Sequence, residues 1–194
     1  MLVIGNGESR LGIDIDSINM PKVGCNAILR DYRVDHLICV DRKMVKEAIT
    51  SNYHLNCPVY TREDWIREFV NYPNIHTVPK LPYVGFERPD EPFNWGSGPY
   101  AVLLATKYSK NIKLLGFDLY SENGKLNNLY KDTQNYMSSN HRVIDPKYWI
   151  YQIAKIFETF RTHQFTIYQT NWELPKLWKL ANVVVDKPSK LIYN

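Results

Sequence analysis

Long apolar runs are missing from this 194-residue chain, and so are clusters of charge and paired cysteines. No uncharged apolar stretch approaches the roughly 18–20 residues of a membrane-spanning helix. Lysine and arginine nowhere accumulate, and the longest cationic group is Arg42-Lys43. Nucleic-acid binders concentrate such residues, so a net charge of +4 without clusters argues against a nucleic-acid partner. The three cysteines, Cys25, Cys39 and Cys57, lack CxxC spacing and lie in apolar runs. They are expected as reduced, buried thiols of an intracellular, cytoplasmic protein. The five histidines are scattered, without a second ligand at motif spacing, which argues against zinc. No Gly-Lys-Ser/Thr occurs, which excludes a Walker P-loop. The first apolar run begins at Leu2, so no leader peptide is expected.

What is present is ordinary in bulk and unusual in its aromatics. Hydrophobic residues make up 44% and charged residues 23%, as in soluble globular domains. The length fits a single domain over 1–194. Fourteen tyrosines and five tryptophans supply flat apolar faces with polar handles, which suit sugar and base contacts.

Short apolar runs at 2–5, 22–26, 35–41, 57–60, 75–78, 113–120 and 165–169 read as strands. Between them, helices are expected after Asp41, from Thr61, from Ser97 and from Asp145-Pro146. Thr61-x-x-Asp64 resembles a capping box for the second of these. The proline-rich stretch 79–94 reads as a loop, because strand–helix alternation resumes after it. This alternation implies an α/β fold, a Rossmann-like sandwich with a mostly parallel central sheet and helices on both faces. The segment 172–181 shows helical spacing of Leu174, Leu177, Trp178 and Ala181 with Lys176 and Lys179 between. Such a helix packs on its own domain or on a second subunit of a homo-oligomer, with a peripheral membrane contact as the other option.

The first strand runs directly into Gly5-Asn6-Gly7-Glu8-Ser9. A glycine turn between a strand and a helix is a common way to aim N–H groups at a phosphate. Arg10 stands where a dinucleotide fingerprint needs its third glycine, and Asp41 comes too late to hold a ribose, so NAD is poorly supported. Asp14-Ile15-Asp16 is a DxD, but its alternation with Ile13, Ile15 and Ile18 reads as packing. In parallel sheets ligands bind at the carboxyl ends of strands. The polar residues expected there are Asn6, Ser9, Asn26, Asp41, Asp118 and Tyr120, with Ser97 opening its helix. Polar residues end most strands, so part of this set serves as caps and turns.

Taken in order, several segments carry a resemblance. They are GNGxS, Cys25-Asn26, Ser97-Gly98-x-Tyr100, the strand LGFDLY, Tyr130-Lys131-Asp132-Thr133, and Asn140-His141 ahead of a long helix. Together they resemble the bacterial sialyltransferases of glycosyltransferase family 42 over most of residues 1–180. The resemblance implies transfer of a sugar from a donor linked to cytidine monophosphate (CMP) to a carbohydrate hydroxyl, without metal or other cofactor. Gly5, Asn6, Gly7 and Ser9 would then hold the phosphate and ribose, and Asn26 with Ser97-Gly98 the nucleotide. Asp118 would anchor the sugar–nucleotide junction, His141 would be the general base, and Tyr120 and Tyr130 would bond the departing phosphate. Glu8 departs from the family's proline and places a carboxylate beside the expected phosphate cradle. Two alternatives stand beside this reading: a pterin diphosphokinase-like enzyme using magnesium and ATP, and a non-catalytic nucleotide-binding or assembly protein of the same fold.

Overall fold

A strand of Leu, Val and Ile is stable only when both faces of its sheet are covered. That is the setting of β1 (Leu2–Ile4), whose three residues are all buried. The computed structural model describes residues 1–121, 124–142, 144–169 and 172–191. Beyond β1 the strands are β2 (Lys22–Cys25), β3 (His36–Ile38), β4 (Val59–Thr61), β5 (Ile75–Thr77), β6 (Asn111–Leu115), β7 (Gln164–Tyr168) and β8 (Val183–Asp186). The α-helices are α1 (Arg42–Thr50), α2 (Glu63–Ile66), α3 (Ser97–Ala105) and α4 (Lys147–Thr159). All eight strands form one sheet in the order β5-β4-β3-β2-β1-β6-β7-β8, and every neighbouring pair is parallel. This is the open α/β arrangement expected from the alternation of strands and helices.

Each face of the sheet has its own core. On one side α3 and α4 cover Val3, Val23, Leu114 and Ile167, with Trp178 fully buried among them. On the other, α1 and the segment carrying Ile13, Ile15 and Ile18 cover Leu2, Ile4, Leu37 and Leu115. The DxD pair thus falls in a packing segment: the Asp14 carboxylate accepts the amides of Asp16 and Ser17 in an exposed turn. α3 is buried nearly all round, from Tyr100 to Ala105. It carries the chain from the β5 edge back to β6, on the far side of β1. The strand order therefore reverses between β1 and β6, where such sheets open a crevice at their carboxyl ends.

The structure departs from the sequence-based expectations in four places. β6 stops at Leu115, because Gly116 adopts φ +73° and turns the chain out of the sheet before Phe117. The capping box at Thr61 does not form: Thr61 is buried in β4, and Arg62 takes the N-cap position and bonds Asp64 at 2.9 Å. The segment 172–181 is no amphipathic helix but a single 3-10 turn at Lys176–Trp178. Trp178 donates its indole N–H to the Ile150 carbonyl at 2.8 Å, so the segment's main apolar anchor faces its own domain. β8, with Val184 and Val185 exposed, is an additional edge strand. Among the described residues no helix is long and apolar enough to cross a membrane.

Candidate functional site

Two strand exits cross at the point where the sheet order reverses, and glycine is what lets them. The Gly5 amide donates to Leu115 O at 2.8 Å and the Gly7 amide to Gly116 O at 2.9 Å. A Cβ on Gly5 would lie 2.3 Å from Gly116 O, and one on Gly7 would lie 2.5 Å from Asp118 Cγ. The next amides are engaged as well: Glu8 donates to Asn127 Oδ1 at 2.9 Å and Ser9 to Asp118 Oδ2 at 2.7 Å. The glycines of this turn are thus required by chain crossing. The amides of Gly7, Glu8 and Ser9 bind protein acceptors rather than facing the cavity as a phosphate cradle.

Above the crossing lies a cavity of about 510 Å³. Gly5, Asn6 and Gly7 line it from β1, Asn26 from β2, Asp41 from β3, Ser97 and Gly98 from α3, and Asp118 from the turn after β6. Ser97 laces three of these elements together. Its hydroxyl donates to Asn26 Oδ1 at 2.9 Å and accepts the Val40 amide at 3.2 Å. Asn26 itself holds φ +50°, a left-handed conformation that asparagine tolerates better than most residues. α3 begins here, so its first-turn amides and dipole favour an anion on the cavity side. Lys43 adds positive charge to the wall, with the Asp41 carboxylate also in the lining and Arg62 already paired with Asp64.

The floor presents acceptors instead. Asn6 Nδ2 donates to Cys25 O at 3.2 Å and to the Tyr136 hydroxyl at 3.1 Å, while Asn6 Oδ1 is buried without a partner. Asp118 Oδ1 is likewise buried and unpartnered. Unpaired buried acceptors are costly, which marks both oxygens as places for a ligand's donors. Tyr136 also receives the Ala27 amide at 3.3 Å, so its oxygen accepts twice and its own proton is left to donate.

Of the residues expected at the site, Gly5, Asn6, Gly7, Asn26, Ser97, Gly98 and Asp118 come together around this cavity. Ser9 stands behind it, holding Asp118 in place. Tyr120 is 44% exposed and sets the edge of its ring against Trp172, away from the cavity lining. Tyr130 is buried beneath the turn, where it accepts from Arg10 at 2.9 Å and donates to Asp31 at 2.6 Å. His141 is exposed and not part of the lining, but its carbonyl accepts the amide of Leu126, a lining residue, at 3.0 Å. Glu8 turns outward to pair with Lys131, and Arg10 is buried under the turn with its Nε on Gly5 O at 3.0 Å.

Tyr136 is among the cavity residues that sequence reasoning passed over. It sits on a loop strapped down from afar: Arg30 donates to Thr133 Oγ1 at 2.7 Å and Gln134 O at 2.8 Å, and Asn135 donates to Glu47 at 2.8 Å. The Arg30 guanidinium in turn holds the Glu47 carboxyl below its ordinary range. Burial pushes the Cys25 and Cys57 thiols up to about 12 and Cys39 well above its usual value, so these are packing residues. Among the described residues no three His, Cys, Asp or Glu side chains come together as a metal site. A scan of protein-family models and searches of curated proteins and solved structures return no match to this chain.

Proposed function

We propose that the protein is a sialyltransferase-like glycosyltransferase that moves a sugar from a CMP-linked donor to a carbohydrate hydroxyl without a metal. The observation that carries this reading is the polarity of the cavity: an α3 N-terminus on one wall, and two unpartnered acceptors, Asn6 Oδ1 and Asp118 Oδ1, on the floor. A nucleotide-linked sugar has the matching pattern, an anionic phosphate beside hydroxyls that donate. The phosphate would lie against the first turn of α3 with Lys43 nearby, and the hydroxyls against Asn6 and Asp118. In the transfer, the acceptor oxygen bonds the anomeric carbon as the bond from that carbon to the phosphate oxygen breaks. CMP leaves with the electron pair, and the acceptor's proton passes to a base. His141, whose carbonyl is bonded to the lining residue Leu126, is the residue proposed for that proton, since imidazole is a base suited to neutral pH. The charge developing on the phosphate would be met by the Tyr136 O–H and the α3 amides, donors fixed before the reaction starts. This gives Tyr136 the part that the family resemblance assigns to Tyr120 and Tyr130.

A thermal-shift comparison of CMP, CDP, GDP, ATP and a pterin, each with EDTA or magnesium, tests the reading. Stabilisation by CMP in EDTA is the expected result. Stabilisation by ATP and pterin only with magnesium would select the diphosphokinase alternative, and CMP binding without turnover of any CMP-linked sugar would select a non-catalytic role.

A further inference from the structure

A second concavity, of about 940 Å³, adjoins the first at the carboxyl ends of β4 and β5. Arg62 and Phe93 line both, so one ridge separates them. The ridge is pinned: Arg62 Nη1 donates to Phe93 O at 2.9 Å, and the Tyr100 hydroxyl donates to Pro92 O at 3.0 Å. The groove is therefore built before any ligand arrives. Its walls combine apolar faces with charge. The Phe93 side chain is 57% exposed, beside Leu81 and Val78. Arg62, Arg67 and Lys80 face only Glu63 and Asp64. Asp64 is already held by Arg62, and neither Arg67 nor Lys80 has an ion-pair partner among the described residues. Aromatic and aliphatic walls suit the C–H faces of a pyranose ring, and unpaired cations suit a carboxylate.

We propose that this groove is the acceptor site and that it selects an anionic, carboxylate-bearing saccharide. The proposal rests on the transferase reading above, because only a group-transfer enzyme needs two substrates on either side of one ridge. Arg67 and Lys80 take the carboxylate, Phe93 packs on the sugar face, and the hydroxyl to be modified reaches over the ridge toward the first cavity.

Calorimetric titration with trigalacturonic acid and with its fully methyl-esterified form, on wild type and on an Arg67→Ala/Lys80→Ala variant, tests this. Both substituted side chains are exposed, so the variant should fold normally. The acid should bind wild type, and the ester should bind about tenfold more weakly. The variant should lose about 5- to 10-fold affinity for the acid, as for two partly screened ion pairs. That difference should shrink in 0.5 M salt, where the Debye length falls to roughly 4 Å. No binding of the acid, equal binding of acid and ester, or an unchanged affinity in the variant would each overturn the proposal. CMP is titrated in the same samples. If CMP binds and the acid does not, the acceptor assignment alone fails. If the acid binds and CMP does not, the transferase reading fails and takes the acceptor role with it.

Discussion

Replacing Tyr130 by phenylalanine removes one oxygen and breaks a buried relay of charge. Arg10 is 3% exposed and Tyr130 is 5% exposed. Among the described residues no carboxylate pairs directly with Arg10. Its guanidinium instead donates to the Tyr130 hydroxyl at 2.9 Å, which donates onward to Asp31 Oδ2 at 2.6 Å. Phenylalanine would leave a buried guanidinium N–H unpaired, a cost of about 1–3 kcal/mol. The lost bond to Asp31 adds at most about 1 kcal/mol, because that carboxylate is exposed and screened. The ring stays under Arg10 Cζ, whose distance to the centroid is 5.6 Å, and limits the damage. The sum is about 1–4 kcal/mol, or roughly 2–16 °C in Tm for a domain of this size. Urea unfolding should show a lower midpoint with an unchanged slope, and a cycle with Asp31→Asn should isolate the carboxylate's share. A Tyr130→Phe protein within about 0.5 kcal/mol of wild type would refute the relay, since that is the ordinary scatter of neutral surface changes.

Other consequences are simpler to read. Glu8 pairs outward with Lys131 across a half-exposed surface, so Glu8→Gln should change stability by less than about 1 kcal/mol. The same variant should leave CMP affinity within about twofold; a large gain on titration would mean that the carboxylate repels the donor after all. The three thiols should resist a disulfide reagent at pH 8 in the folded protein and react fully in urea. Burial raises Cys25 and Cys57 to about 12, so both stay protonated and unreactive at that pH. Rapid labelling of the native protein would contradict their burial. Glu47 is depressed by its bond to Arg30, so its stabilising share is complete above its ordinary value of 4.5 and disappears as pH falls through the lower folded value. Glu47→Gln should therefore cost about 1 kcal/mol at pH 7, and wild type and variant should converge in acid unfolding below that range. A gap that persists at low pH would contradict the assignment.

The sheet was legible because burial on both faces forces strands into short apolar runs, as at 2–5 and 113–115, and covering helices into periodic ones. The cluster at the strand ends was legible for a related reason: in parallel sheets, residues such as Asn6, Asn26 and Asp118 leave the core on the same side. What escaped was set by contacts distant in sequence. KLLGFDLY reads as one continuous strand, because Phe117 and Leu119 are as apolar as the strand before them. Only the left-handed Gly116, which takes its φ from the crossing with Gly5, ends β6 early. Tyr136 carries no local signal at all; Arg30 and Glu47, about 100 and 90 residues away, bring its loop over the cavity. The false helix at 172–181 has the mirrored cause. Of the residues that make its spacing, Trp178 is buried and Leu174 packs partly against the α3–α4 core, while Leu177 and Ala181 are exposed, so no continuous apolar stripe forms.

Calorimetric titration of CMP, in EDTA, into wild type and a Gly98→Leu variant tests the central claim most directly. Gly98 lines the cavity at the start of α3, and a Cβ there would approach only the Phe117 ring, at 3.3 Å. Gly98 precedes Pro99 in the first turn, where a β-carbon crowds the proline ring, so the melting transition of the variant is recorded beside the titration to show that it is folded. One CMP should bind per wild-type chain, and in folded variant protein the larger side chain beside Phe117 should weaken it at least about tenfold, a loss of about 1.4 kcal/mol. Wild-type protein that takes up no CMP, or a Gly98→Leu variant that binds it equally well, would contradict a nucleotide site at the β1–β6 crevice.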